Sequence, residues 1–344
     1  MRATRSTEQG ESARLPSGIG AAPLSFRVAS VVILLGLVIF AIPDSIPFYY
    51  KQVGILIFWF ASLGTAWTIS CGYGGMFSIG NAAFVGTGAY TSTLLFLHFQ
   101  ISPWLGMVVG MALAALLAAG VGYPAFRFGL RGDYFALITI AFSGIVYELV
   151  NGASGITGGG QGKPIRVLGD RPWLFQFTDR RIYYYIAMAM WLLTVVVAYR
   201  IRHSRLGYKL LAIRDDEPAA ARAGINGTTV KLVGFVITAA ITAALGTFYA
   251  QLILFIDPGS VLALDLSVTL ILMAVLGGMA SYLGATVGAF ILVPLSQWLA
   301  ANTAVAGADL FANGLILVLL MLYMPHGILG LLRNSPRWRR VVGW

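Results

Sequence analysis

The distribution of charged residues constrains this chain more than any other feature of its sequence. From residue 52 to residue 126 there are 75 consecutive residues without an Asp, Glu, Lys or Arg, and only 10% of all 344 residues are charged. Soluble domains are about 25% charged, and a water-facing surface cannot be built from so few charges. Because 58% of the residues are hydrophobic, most of the chain is expected to face lipid or apolar protein. The sequence predicts an integral membrane protein.

Uncharged runs of about 20 residues mark the membrane spans. They predict an all-α integral membrane protein with about ten transmembrane helices in one domain. Turn-forming segments at 72–75 and 100–103 divide the long uncharged run into three spans. The ten predicted spans are 28–43, three within 52–126, 133–150, 182–199, one within 232–256, two within 266–308, and 310–332.

The basic residues predict the orientation of these spans. With ten spans, both termini lie on one side of the membrane together with segments 124–133 and 200–231, and that side holds 17 of the 23 Lys and Arg residues. By the positive-inside rule it is the cytoplasmic side. The net charge of +10 therefore reflects membrane topology, and no nucleic-acid partner is expected.

The predicted organisation has one large domain between two tails. The polar N-terminal segment is typical of a disordered cytoplasmic tail, and a cleaved signal peptide is the rival interpretation, disfavoured because no small-x-small site follows the first apolar run. The predicted regions are a tail at 1–26, a transmembrane domain at 27–332 with an outer loop at 151–181 and a cytoplasmic segment at 204–226, and a basic cytoplasmic tail at 333–344.

No catalytic or metal site is predicted. Cys71 is the single cysteine, and the three histidines stand far apart in the sequence, so no spacing suits a metal or a Cys/His catalytic site. The glycine-rich segment at 157–164 lacks the spacing of a nucleotide-binding loop, and Pro164 stands where that loop needs a hydroxyl. We expect the chain not to be an enzyme and to bind no cofactor itself.

Polar residues within the spans have two interpretations. Small and polar residues let helices approach closely, but a hydroxyl or amide at membrane depth is costly unless it faces protein or water, so the same residues can line a solute path. The candidate path residues are Ser78, Asn81, Thr87, Tyr90, Thr139 and Glu148. Glu148 is the one acid placed within a span, either as a functional group or as a carboxylate that reaches interfacial water.

The cytoplasmic segment at 204–226 contains a predicted short helix. Asp215, Asp216 and Glu217 followed by Pro218 are typical of a helix N-terminus, where acids face the positive end of the dipole. Gly224 is a natural helix stop. The helix between them is rich in alanine and too small to form a domain, so it is suited to docking against a partner.

Several segments in this order resemble one known family. They are Gly72-Tyr73-Gly74-Gly75 through Tyr90, Arg131-Gly132-Asp133-Tyr134-Phe135-Ala136 with Thr139, Thr157-Gly158-Gly159, the segment 204–226, Val275-Leu276-Gly277-Gly278-Met279 through Gly288, and Pro325-His326-Gly327-Ile328-Leu329-Gly330. Together they resemble the permease subunits of branched-chain amino-acid ABC importers, specifically the LivM type. Two positions depart from the family pattern, namely Asn81 where a histidine is usual and Gly144 where a glutamate is common.

The resemblance implies a machine with several subunits. In that family the permease pairs with a second related permease, two ATPase subunits carrying ATP and Mg²⁺ dock on the cytoplasmic face, and a periplasmic binding protein delivers the solute. Glu217, Ala219, Ala220 and Gly224 match the Glu-Ala-Ala…Gly pattern and would couple to the ATPase. The expected location is the bacterial inner membrane. The alternatives are a permease for urea, short amides or other amino acids, and a secondary transporter.

Overall fold

The computed structural model describes residues 47–302, together with 314, 315 and 328. The N-terminal tail and the predicted first span therefore lie outside the described residues, as do most of the predicted last span and the basic tail. Within the described part of the chain, nearly all ordered backbone is helical, which agrees with the all-α class.

Twelve α-helices follow one another along the described residues. They are α1 Phe48–Thr68, α2 Asn81–Phe99, α3 Pro103–Arg127, α4 Gly132–Gly152, α5 Ser154–Thr157, α6 Arg180–Arg202, α7 Arg205–Asp215, α8 Glu217–Arg222, α9 Gly227–Ile253, α10 Pro258–Val261, α11 Leu264–Gly277 and α12 Gly284–Asn302. A π-helical turn at Ile69–Tyr73 extends α1. Two-residue strands β1 (Lys163–Pro164) and β2 (Phe255–Ile256) pair antiparallel.

Six segments of these helices are long and apolar enough to cross a membrane. They are Phe48–Tyr73, Pro103–Arg127, Gly132–Gly152, Arg180–Arg202, Gly227–Ile253 and Pro258–Gly277, and Gly284–Leu299 is a shorter apolar helix. The eight spans predicted between residues 52 and 308 each coincide with one helix, α2 and α12 included. A helical protein with several membrane spans is thus confirmed, whereas the described residues do not establish a total of ten.

Side-chain caps mark the starts of several of these helices. Asp179 accepts a hydrogen bond from the Arg181 backbone N–H at the start of α6, and Asn226 accepts one from Thr229 at the start of α9. Ser102 caps α3, which has Pro103 in its first turn. Such caps satisfy backbone donors that have no partner within the helix.

Helices α1 and α9 occupy the centre of the bundle. Helix α9 packs along α2 and α3, whereas α1 packs along α6 and α12. The α2–α9 contact is close because both helices present glycine there: a Cβ added at Gly88 would lie 1.9 Å from the Ala243 carbonyl oxygen, and one at Gly246 would lie 2.0 Å from that of Val85. Small residues bring membrane helices together in this way.

The bundle has two ends, which are named here by the segments they carry. The coupling end carries residues 69–80, 128–131, 203–226 and 278–283, and the loop end carries residues 100–102, 153–179 and 254–263. Contacts between segments establish each end. Arg214 donates a hydrogen bond to the Gly72 carbonyl at the coupling end, and Trp104 donates one to the Pro172 carbonyl at the loop end.

Candidate functional site

The coupling segment forms two helices, where the sequence predicted one. Helix α8 starts where expected, with Asp216 accepting a hydrogen bond from the Ala219 backbone N–H at 2.9 Å and Pro218 in its first turn. Gly224 lies just beyond its end at a φ of 81°, a left-handed conformation that favours glycine. Helix α7 was missed, although Leu206, Leu210 and Ile213 recur at helical spacing.

Helix α7 is held against the end of α1. The Arg214 guanidinium donates to the Gly72 carbonyl oxygen at 2.6 Å, and the Arg214 side chain packs beside Gly75. Leu210 and Ile213 are buried. Because the π-helical turn at Ile69–Tyr73 leads directly into this contact, α7 is joined to the end of α1.

The carboxylate of Glu217 is turned toward the bundle at the coupling end and is mostly buried. Its Oε2 accepts a hydrogen bond from Lys231 Nζ at 2.6 Å and lies 2.9 Å from Arg131 Nε. The side chains of Lys231 and Glu217 are 8% and 21% exposed, and that of Arg131 is 56% exposed. One carboxylate therefore joins α8 to the start of α9 and to the loop before α4; Glu217, Lys231 and Arg131 are called the clamp below.

The clamp borders a cavity of about 380 Å³. Apolar and charged groups line it together, among them Phe126, Phe135, Arg214 and Asp216. Lys231 Nζ lies 6.0 Å from the centre of the Phe126 ring, a distance at which a cation is attracted to an aromatic face. Apolar walls strengthen the ion pairs of the clamp because they reduce screening by water.

The exposure of the four predicted coupling residues divides them into two groups. Glu217 and Ala219 are half-buried and Ala220 is buried, so their side chains face the bundle; only Gly224 is exposed. The outward surface of this segment consists instead of Pro218, Ala221 and Arg222 of α8 together with Ala223 and Gly224 just beyond it, and it is called the coupling face below. The sequence pattern located the helix but did not distinguish its two sides.

Three of the predicted path residues are buried with unpartnered polar atoms. Ser78 is fully buried, Asn81 is 1% exposed and Tyr90 is 4% exposed. The hydroxyls of Ser78 and Tyr90 and both amide atoms of Asn81 have no hydrogen-bond partner within the described part of the chain. Buried polar groups without partners are rare in native structures, which makes these atoms candidates for hydrogen bonds to a solute or to bound water.

Thr87 and Thr139 are also buried, but both are hydrogen-bonded. Thr87 Oγ1 donates to the Ala83 carbonyl of its own helix. Thr139 Oγ1 accepts from the Ile79 backbone N–H at 3.1 Å and donates to the Ala136 carbonyl at 2.9 Å. Thr139 therefore fastens α4 to the segment that carries Ser78 and Asn81.

Glu148 does not lie in the interior of the described chain. It lies on an exposed face of α4 together with Leu137, Ile145 and Leu149. Helix α4 is only 22% buried over its apolar window. The sequence predicts that Glu148 lies within a span, but it does not predict which side of the helix carries it.

Two polar residues that the sequence analysis did not single out belong with this group. Ser267 Oγ accepts a hydrogen bond from the Ala82 backbone N–H at 2.8 Å, which ties α11 to the start of α2. Gln251 is fully buried, and both of its amide atoms lack partners among the described residues. A glutamine within an uncharged run is itself a signal, because its amide has to be satisfied inside the membrane.

Replacing Thr139 with valine tests the link between α4 and the polar segment. We expect a loss of about 1–3 kcal/mol in the free energy of unfolding, because the buried Ile79 N–H loses its acceptor. Thr87→Val is the matched control, since its hydroxyl bonds only within α2. Unfolding of the purified protein in detergent would measure both; equal stabilities of the two variants would contradict the link.

The helices and the buried polar segment define a helical, multi-span membrane protein with polar groups inside its bundle. The profile of the family described as "Branched-chain amino acid transport system / permease component" matches residues 52–324, which is more than half of the chain. The chain belongs to that family. It is a permease component, not an enzyme.

Two kinds of curated relative are similar to the chain. The high-affinity branched-chain amino acid transport system permease protein LivM of Escherichia coli K12 is 29% identical over 293 residues, covering 79% of this chain and 68% of that protein. The permease protein LivH of the corresponding system in Salmonella typhimurium LT2 is 26% identical over 284 residues, covering 79% and 91%. No solved structure matches the chain.

Proposed function

We propose that the chain is the membrane-spanning permease subunit of an ATP-driven (ABC) importer that moves branched-chain amino acids across the inner membrane. The observation that carries the proposal is the geometry of the coupling end. The coupling face is exposed on a short helix whose inner side is joined by Glu217 to α9 and to the loop before α4. Force applied to this face therefore reaches two membrane helices as a rigid-body movement.

The proposed assembly contains further subunits. Relatives named as two permease proteins, LivM and LivH, both resemble this chain, which supports pairing with a second, related permease. Two ATPase subunits, which hold ATP and Mg²⁺, would dock on the coupling face, and a periplasmic binding protein would deliver the solute. The coupling end and both termini are placed in the cytoplasm, where the basic residues are concentrated, and the permease domain is proposed to extend over 27–332.

The exposed face of α4 is the proposed contact surface for the second permease. Glu148 lies near the loop end of α4, which ends at Gly152, so a lipid-facing carboxylate there costs less than the about 2.5–3.5 kcal/mol found at a helix centre but still favours a protein or water-lined neighbour. Glu148 is exposed on α4 in the single chain, so in the assembly it is expected to face protein or a water-filled path. The proposed solute path runs between this face and the unpartnered groups of Ser78, Asn81 and Tyr90.

Uptake by membrane vesicles that contain the chain with its partner subunits and binding protein tests the solute class. We expect labelled leucine to accumulate, and unlabelled isoleucine and valine to compete with it. Urea and acetamide should not compete at the same concentration. Accumulation of urea or acetamide without that of leucine would favour the alternative permease function.

Replacing Ala221 with aspartate tests the coupling face. Ala221 is exposed in the chain, so the protein should fold and insert normally. If an ATPase subunit covers this face, the new carboxylate is buried without a partner and uptake should fall about tenfold or more. Ala153→Asp, at an exposed position of the loop end, is the matched control. Unchanged uptake in the Ala221 variant would show that this face does not dock the ATPase.

A further inference from the structure

A cavity of about 930 Å³ opens at the loop end, away from the clamp and the path residues. Its apolar wall includes Phe96 and Leu97 at the end of α2 and Trp173 on the loop. Its polar lining consists of the Gln100 amide and three charged groups, the guanidinium groups of Arg166 and Arg171 and the carboxylate of Asp170. It is called the loop-end cavity below.

The loop around this cavity is held by buried contacts. Gln176 is 2% exposed, and its amide accepts a hydrogen bond from the Leu168 backbone N–H and donates one to the Arg166 carbonyl, both at 2.8 Å. Phe175 is fully buried and stacks on Trp104 at 4.0 Å between ring centres. These contacts therefore hold the loop backbone that carries the three charged side chains.

The three charges surround the cavity without pairing with one another. Within the described part of the chain, no ion pair within 4.0 Å involves Arg166, Asp170 or Arg171. The next acid along the same loop behaves differently, because Asp179 pairs with Arg181 at 3.7 Å. Opposite charges that border one cavity and remain unpaired are available to a ligand that carries both signs.

We propose that the loop-end cavity binds an α-amino acid with an apolar side chain, as a zwitterion, before it enters the path. A guanidinium group suits the ligand carboxylate, since Arg presents paired donors to carboxylates, and the Asp170 carboxylate suits its ammonium group. Phe96, Leu97 and Trp173 provide apolar contact for the ligand side chain. The charged groups are exposed, so binding is weak and exchange is fast. The inference rests on the proposed function and adds a second site to it.

Photo-leucine, a diazirine analogue of leucine, tests this site in the complete transporter in membrane vesicles without binding protein. Irradiation should label the peptide that contains residues 166–174, and excess leucine should suppress the labelling. Asp170→Asn should reduce it about fivefold. Asp179→Asn should not, because asparagine caps a helix as well as aspartate does. Isocaproate, which lacks the ammonium group, and isopentylamine, which lacks the carboxylate, should compete poorly.

The outcomes separate this inference from the proposed function. Absent labelling, labelling that leucine does not displace, or equal labelling in Asp170→Asn would overturn the loop-end site. If the same vesicles with binding protein still accumulate leucine, the proposed function stands and only the site is wrong. A drop in binding-protein-dependent uptake with unchanged labelling in Asp170→Asn would instead assign these charges to docking of the binding protein.

Discussion

Uptake should fall at least tenfold when Glu217 is replaced by glutamine. The neutral amide cannot balance Lys231, which is buried, and it releases Arg131 from the loop before α4. Removing one partner of a buried ion pair costs about 3–5 kcal/mol, and we expect the lower end of that range because the Glu217 side chain is 21% exposed. ATP-driven leucine uptake and thermal unfolding of the purified chain would measure the two effects.

Two further variants separate loss of the clamp from a general loss of charge. Asp215→Asn removes an acid two residues earlier, whose contact is with the adjacent Arg214 at 3.2 Å on an exposed surface; it should leave uptake within about twofold. Glu217→Gln combined with Lys231→Gln removes both buried charges and should recover stability relative to Glu217→Gln alone. If Glu217→Gln had wild-type stability and uptake, the clamp would have no role.

Replacing Gly88 with alanine should leave little folded protein. The added methyl group would lie 1.9 Å from the Ala243 carbonyl oxygen, which is backbone and cannot rotate away, so α2 and α9 would have to separate. Overpacking of this kind costs about 1–3 kcal/mol and occasionally more, and the upper end is expected because Gly246 forms the same close contact with Val85. Separation also strains the hydrogen bond from Thr247 to the Gly88 carbonyl, which is 3.0 Å long.

Gly120→Ala is the matched control for this prediction. Gly120 lies in α3 with no other atom within 4 Å of an added Cβ, and alanine favours helices over glycine by about 1 kcal/mol. The two substitutions are chemically identical but should change stability in opposite directions. Gel filtration and thermal unfolding in detergent would show this, and two variants of similar stability would contradict the close approach of α2 and α9.

The charge pattern predicted the positions of the helices well. The spans predicted at 133–150 and 182–199 correspond to Gly132–Gly152 and Arg180–Arg202, since in each case charged residues flank an apolar run. What the pattern could not give was side-chain pairing over long separations. Glu217 meets Arg131 and Lys231 because three segments converge at the coupling end, and no local periodicity encodes that.

The candidate path shows the same division between local and long-range information. Ser78, Asn81 and Tyr90 are polar residues within an uncharged run. Because such a run forms packed membrane helices, the sequence predicts that these residues are buried. The face of α4 that Glu148 occupies depends on which helices pack against α4, and these are few. Gln251, an amide within an uncharged run like Asn81, carries the same local signal, although it is not among the predicted path residues.

The central claim is that ATP hydrolysis by partner subunits drives amino-acid movement through this chain. Reconstituted vesicles that hold the chain with its partner permease, ATPase subunits and binding protein would test it by the accumulation of labelled leucine. We expect accumulation only when ATP is supplied and the ATPase subunits are present, and loss of accumulation in Glu217→Gln. Leucine accumulation driven by a proton or sodium gradient without ATPase subunits would contradict the claim and identify a secondary transporter.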